Sequence, residues 1–230
     1  MMLNRTAILF FSRLPQEELL GKKLTENNKN SFAIWQHLYS QSLAAATKTG
    51  FPLILWSEKE QYGKNFAEKI THGISTAFKN GYDNLIVIGS DTPNLSTAHL
   101  NFAKNELQSG RQIVAGKDMR GGIYLLALNK SAFSEDIFLK FSWQTNNLFK
   151  EICCYGNGFN FSPLSAVLFD INTKADALKS ISLFYIKNAF RYLLLNVSCL
   201  LQIPEQKKII LKGYPLPVKS NILRGPPSSE

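Results

Sequence analysis

Apolar and polar positions along the chain follow two periods. Continuous apolar runs closed by turn residues recur as "TAILFFSRLP", ended by Pro15, as "FPLILWS" and as "NLIVIGS". Runs of this length bounded by Gly, Pro and Ser predict buried β-strands. Between them, Phe32, Trp35, Leu38 and Leu43 fall near helical spacing, with Ser31 as the expected N-cap and Gly50 as the stop. Phe66, Ile70, Ile74 and Phe78 repeat at i+4 and predict an amphipathic helix ending at Gly81, and Ser96 opens another helix running through Leu107. "RQIVAG" and "GGIYLLAL" read as further strands. Gly156, Gly158 and Pro163 mark loops, and "SAVLFDINT" predicts a strand and turn. Strands alternating with helices imply βαβ units, hence an α/β fold with a mainly parallel, doubly wound sheet.

In such a sheet, ligands sit beyond the carboxyl ends of the strands, near the point where strand order reverses. Arg13 and Asp91 both fall just past strand ends. Asp91 stands between the hydroxyls of Ser90 and Thr92, after Gly89 and before Pro93. Two readings are open: a turn with a capping carboxylate, or a holder of a cation or phosphate at the sheet edge.

The 230 residues, 45% of them hydrophobic and 19% charged, suit one α/β domain or a domain with an appendage and are far from a disordered composition. The net charge of +9 is uneven. Residues 1–178 hold 18 Lys and Arg against 15 Asp and Glu, while residues 179–230 hold 8 against 2. The positive field therefore lies mostly in the tail, and a domain over 1–178 followed by a basic C-terminal region over 179–230 is the expected division. No basic cluster interleaves with aromatics, so nucleic acid is not an expected partner. The apolar run near the N-terminus, Ala7 to Phe11, is too short for a signal peptide. Cys153, Cys154 and Cys199 have neither metal-ligand spacing nor a disulfide framework, which agrees with a reduced, cytoplasmic setting. "SLFYIKNAFRYLLLNVSCLLQI" approaches the length of a membrane span, but Lys187 and Arg191 interrupt it. A core-packing helix is preferred there over attachment to a membrane surface, and the last residues read as an extended tail.

An ordered series of motifs over residues 6–178 resembles the bacterial glycosyltransferase-A-like family of unassigned substrate. This family lies in the nucleotide-diphospho-sugar transferase superfamily and is related to the molybdenum-cofactor and phospholactate guanylyltransferases. F-x-K-x-P appears as Phe11-Ser12-Arg13-Leu14-Pro15. G-x-x-K-T-R-L survives only in Lys23 and Leu24, with Glu18 at the Gly position and Gly21 at the Lys position. Q-x-G-x-D-L-G-E-R-M is softened to the run from Gln61 to Ile70, while G-x-D-x-P-x-L is intact as Gly89, Asp91, Pro93 and Leu95. G-P-A-x-D-G-G-Y-Y-L becomes Gly116 to Leu125, with Lys117 for Pro and Arg120 for Asp. W-S-T appears as Trp143-Gln144-Thr145, and D-I-D-T as Asp170-Ile171-Asn172-Thr173.

The resemblance implies a Rossmann-like GT-A fold, a three-layer sandwich around a mixed, mainly parallel sheet. It also implies a nucleotide or nucleotide-sugar held through its diphosphate, with Mg²⁺ or Mn²⁺ on Asp91 and an added oxygen ligand from Asp170 or Asn172. Arg13 and Lys23 would neutralise phosphates, and Gly89, Gly121 and Gly122 would leave the backbone room near the ligand. Arg120 is the informative departure: it either pairs with Asp91 and opposes a cation, or binds the diphosphate in its place. Asp118, two residues earlier, is positioned to compensate if the loop is shifted. Trp143 belongs to the core or the pocket wall. His37, His72 and His99 lie on separate presumed helices and form no ligand pair. Two functions follow: a glycosyl- or nucleotidyl-transferase using Asp91 and Arg120, or a degenerate relative acting as a binding or scaffold protein.

Overall fold

The computed structural model describes residues 5–181 together with Leu194. The expected helix over 182–203, apart from Leu194, and the basic tail lie outside the described residues. Six strands form one sheet: β1 (Thr6–Phe11), β2 (Leu53–Trp56), β3 (Asn84–Ile88), β4 (Ile113–Lys117), β5 (Ile123–Asn129) and β6 (Phe161–Pro163). Their order is β2-β1-β3-β5-β4-β6. β1 pairs in parallel with β2 and β3, and β4 with β6, whereas β5 is antiparallel to both β3 and β4. Five strands therefore run one way and β5 the other, the mixed sheet anticipated above.

Alternation of side chains across the pleat explains the layers. Ala7, Leu9 and Phe11 of β1 with Leu85 and Val87 of β3 face one side, where they meet α3 (Phe66–Lys79), α5 (Glu135–Phe138) and α6 (Leu148–Gly156). Ile8, Phe10, Ile86 and Ile88 face the other, against α2 (Asn28–Thr47) and α4 (Thr97–Gln108). Every residue of β3 is buried, as a central strand covered on both faces requires. A third cluster joins Ile34, Trp35 and Leu38 of α2 to Phe169, Ile171, Ala177 and Leu194, with α7 (Lys174–Ile181) lying over it.

Several local expectations need correction. Pro15 does not close β1 directly; it occupies the first turn of a helix, α1 (Pro15–Gly21), where its missing N–H costs nothing. The N-cap of α2 is Asn27, whose side chain accepts from Lys29 N and Asn30 N, and Ser31 is buried within the helix. Asn is as good a cap as Ser, so the choice was decided by where the chain leaves α1. The "SAVLFDINT" segment is not a strand: it makes one isolated bridge, Asp118 to Leu168, and is otherwise irregular. β6 instead forms in the stretch read as loop, because Ile113, Val114 and Ala115 of β4 offer Phe161–Pro163 a free edge. Pro163 is tolerated there because β6 is an edge strand.

The β4–β5 hairpin fixes the site. Gly116 pairs with Leu125 but Lys117 with Ile123, so Tyr124 is an extra residue in β5, a β-bulge. Tyr124 and Leu125 consequently face the same core layer. At the tip, Gly121 has φ +96°, and a Cβ there would run into the Asn146 carbonyl. Gly121→Ala is expected to lose about 2–3 kcal/mol from backbone strain and clash, a Tm fall of about 5–10 °C. Gly110→Ala, at φ +97° with open space around it, carries the strain alone and should lose about half as much. Thermal melts of the two variants followed by circular dichroism check this.

Candidate functional site

Because β5 runs against its neighbours, the hairpin joining β4 to β5 lies at the same end of the sheet as the carboxyl ends of β1 and β3. Three segments therefore meet there: residues 11–13 after β1, residues 89–92 after β3, and residues 118–122 of the hairpin. A cleft of about 670 Å³ opens over them, lined by Arg13, Lys22, Asp91, Asp118, Arg120 and Asp170 among others. The positions this topology gathers are those where doubly wound sheets hold ligands.

Three carboxylates face this cleft. Asp91 is half-buried, and its Oδ1 folds back to within 3.1 Å of where a Cβ on Gly89 would stand, so Gly89 leaves the space that the carboxylate occupies. Burial pushes the Asp91 carboxyl above its usual range; Lys22, its own backbone N–H and Arg120 act the other way, and Asp118 adds to the rise. Asp170 is buried, and its Oδ1 accepts from Thr92 Oγ1 at 2.6 Å. Its carboxyl is raised well above the ordinary value, first by burial and then by the nearby charge of Asp91. Asp118 is buried as well; its Oδ1 accepts from Arg120 N at 2.7 Å and Gly122 N at 2.8 Å, an Asx-type turn closing the hairpin. A Cβ on Gly122 would lie 2.7 Å from Asp118 Oδ2, so Gly122 leaves room for the carboxylate itself.

The cations are arranged differently from expectation. Lys23 is exposed and outside the cleft lining, whereas Lys22 lies inside it. Lys22 Nζ donates to Asn172 Oδ1 at 2.9 Å, sits 3.6 Å from Glu18 Oε2 and lies 5.7 Å from the centroid of the Trp35 ring. Glu18 thus occupies the expected glycine position as part of α1, and its i,i+4 pairing selects which lysine turns inward. Arg13 is exposed on the cleft wall and has no ion-pair partner among the described residues. Arg120 does not pair with Asp91. Its Nη1 donates to both oxygens of Asp176 at 3.0 Å and its Nη2 to the Asp170 carbonyl at 2.7 Å. Burial would raise the Asp176 carboxyl, but the Asn172 N–H, Arg120 and Thr173 outweigh it and hold it below the usual range.

The remaining walls come from Phe66 and Lys69 of α3 and from Trp143, whose indole N–H donates to the Phe138 carbonyl at 2.7 Å. Gln144, at φ +62°, turns the chain into the cleft beside Trp143. The structure therefore lines one cleft with Arg13, Gly89, Asp91, Gly122 and Asp170 and leaves Lys23 and Gly121 out of the lining. It adds Lys22, brings in Asp118, and directs Arg120 toward α7. His37, His72 and His99 are absent from the cleft lining.

Among the described residues, no group of three or more His, Cys, Asp or Glu forms a metal cage by itself. The donors are nevertheless hard oxygens, and burial, with the charge of Asp91 acting on Asp170, disfavours their ionised forms, a cost that a divalent cation would relieve. This fits Mg²⁺, which takes one or two carboxylates and completes its shell with phosphate and water.

A carboxyl whose pKa is higher in the folded than in the unfolded state binds its proton more tightly when folded. Stability is then greatest below the unfolded pKa, near 4, and falls as pH rises through the folded pKa. Asp170→Asn, which keeps an oxygen for Thr92, is expected to raise Tm at pH 7 in chelator and to flatten the decline of Tm above pH 4. Scanning fluorimetry across pH checks both effects.

Fold comparison agrees with this architecture. A candidate nucleotide-diphospho-sugar transferase from Desulfovibrio desulfuricans G20 superposes with a TM-score of 0.72 at 19% identity, covering 86% of this chain and 97% of that one. A homologue of Mycobacterium tuberculosis Rv0371c from Mycobacterium sp. strain JC1 has a TM-score of 0.50 at 11% identity, over 86% and 100%. A 4-diphosphocytidyl-2C-methyl-D-erythritol synthase from Anaerococcus prevotii DSM 20548 has a TM-score of 0.50 at 10% identity, over 86% and 98%. At such identities the likeness concerns the fold. No curated protein matches the chain. In sequence, residues 34–145, which include Asp91, Asp118 and the hairpin glycines, match the family described as "Uncharacterized protein conserved in bacteria (DUF2064)".

Proposed function

We propose that the cleft binds a nucleotide or nucleotide-sugar through its diphosphate and transfers a glycosyl or nucleotidyl group. The observation that carries this reading is the convergence of Asp91, Asp118 and Asp170 with Lys22 and Arg13 on one cleft at the carboxyl ends of β1 and β3. Asp91 and Asp170 would hold Mg²⁺ or Mn²⁺, with Asp118 beside them; when bound, the cation would neutralise charge developing on the leaving diphosphate. Arg13, at the end of β1 and without an ion-pair partner among the described residues, is placed to meet phosphate oxygens. Lys22, fixed by Glu18 and Asn172, supplies a preorganised positive charge toward Asp91. Gly89 and Gly122 keep the carboxylates from being displaced by side chains of their own neighbours. Phe66 and Trp143 give the cleft an apolar wall that limits water around the reacting groups.

Thermal-shift measurements with the common nucleoside triphosphates and nucleotide-sugars, with and without Mn²⁺, test the reading. At a hundredfold excess over Kd a ligand stabilises by about 2.7 kcal/mol, a rise of about 5–10 °C for a chain of this size. The rise should require Mn²⁺ and be lost in Asp91→Ala. Silence from every nucleotide in the wild-type protein would favour the degenerate binding or scaffold protein instead.

A further inference from the structure

Arg120 stands where the resemblance places a carboxylate, yet its guanidinium turns away from the cleft floor toward the segment that precedes α7. That segment, residues 164–173, carries Asp170 and Asn172 but has almost no ladder of its own. Its backbone is held by Leu164 N to the Ala115 carbonyl, Leu168 N to Lys117, Met119 N to Leu168 and Ile171 N to Asp91, each between 2.8 and 3.3 Å. Phe169 and Ile171 anchor it in the third core cluster and Ala166 accepts from the Tyr124 hydroxyl, but residues 172–173, at its polar end, have no ladder partner among the described residues.

Arg120 supplies what the ladder does not. It grips the segment at two points, the Asp170 carbonyl and the Asp176 carboxylate, and lies 5.8 Å from the centroid of the Phe169 ring between them. Asp176 in turn accepts from Asn172 N at 3.0 Å and Thr173 N at 2.9 Å, while its own N–H donates to Thr173 Oγ1 at 3.1 Å. One carboxylate thus caps α7 and anchors the arginine of the hairpin. The two residues whose side chains enter the cleft, Asp170 toward Thr92 and Asn172 toward Lys22, lie within the stretch the pair spans.

We infer that Arg120 and Asp176 are positioning residues: their pair latches the 169–173 segment to the hairpin and so presents Asp170 and Asn172 to the ligand. This rests on the reading of Asp170 as a cation-binding group. It assigns Arg120 no contact with substrate, and it gives the substitution at this position a purpose other than decay of the site. The same latch suits a guanidinium: its planar fork holds a carbonyl and a carboxylate at once in fixed directions.

The test compares Arg120→Gln, Asp176→Asn and the double variant in the full chain. Asp176→Asn retains an oxygen for the α7 backbone, so the helix keeps its cap while the ionic partner of Arg120 is removed. Two quantities are read: amide hydrogen exchange over residues 169–173, and Mn²⁺ affinity from the electron paramagnetic resonance of the free ion. Both single variants should accelerate exchange in that segment and weaken Mn²⁺ about tenfold, as loss of an outer partner of a ligand commonly does. The double variant should be no worse than either single one, because the two residues act as a unit. If Asp176→Asn leaves exchange and Mn²⁺ affinity unchanged while Arg120→Gln alone weakens binding of added pyrophosphate, Arg120 contacts ligand directly and the latch is overturned. Should the wild-type protein bind no Mn²⁺, the cation-site reading fails by itself; the exchange measurement still decides the latch, which unchanged exchange in both single variants would refute.

Discussion

Like charges brought to one rim of a sheet repel, and the repulsion grows as water is removed from around them. Asp91, Asp118 and Asp170 experience this at the cleft, and the surrounding architecture can be understood as the means of tolerating it. Thr92 and the backbone N–H groups of Arg120 and Gly122 give the acids hydrogen-bond donors. Lys22 gives them a counter-charge that is itself held in place from two sides. What these partners leave uncompensated is the charge that the proposed cation would meet. The cluster thus links fold to function more directly than any single residue does.

Much of this was legible in the chain. Continuous apolar runs located β1, β2 and β3, the i+4 repeat located α3, and the Gly89–Leu95 frame pointed to Asp91 because a strand end is where such sheets keep their chemistry. What escaped depended on contacts between distant segments. Whether Lys22 or Lys23 faces inward is decided at the end of α1, where Lys22 is the C-cap in extended backbone, and the only local hint was the spacing of Glu18 and Lys22. Asp118 could be named only on condition of a shifted loop, because both faces of β4 are buried, so alternation could not show which way its end would point, and the bulge at Tyr124 shifts the register there. The segment around Leu168 is apolar enough for a strand, but β6 already covers Ile113–Ala115 of β4, and Leu168 reaches only the single bridge to Asp118 beyond it.

The departures from the family pattern are also clearer in three dimensions than in a row of letters. Glu18 and Gly21 alter a loop that here has become α1, and the helix supplies its own lysine to the cleft. Arg120 removes a carboxylate from one position while Asp118 places one in the cleft from two residues away. Each change, taken alone, reads as erosion of a motif; together with Lys22, Asn172 and Asp176 they form a mutually bonded set. Both charge types are thereby retained at the rim while the residues providing them differ.

The bulge at Tyr124 carries one more consequence. A plain hairpin can slide by a residue, and a slide would turn Leu126 and Leu128 out of one core layer and into the other. With Tyr124 wedged over Gly116, where no side chain could share the space, and its hydroxyl donating to the Ala166 carbonyl at 3.1 Å, the ladder has a single seating. The distance between the acids at the tips of two different strands is therefore set by an aromatic ring behind the sheet, on the face opposite α3.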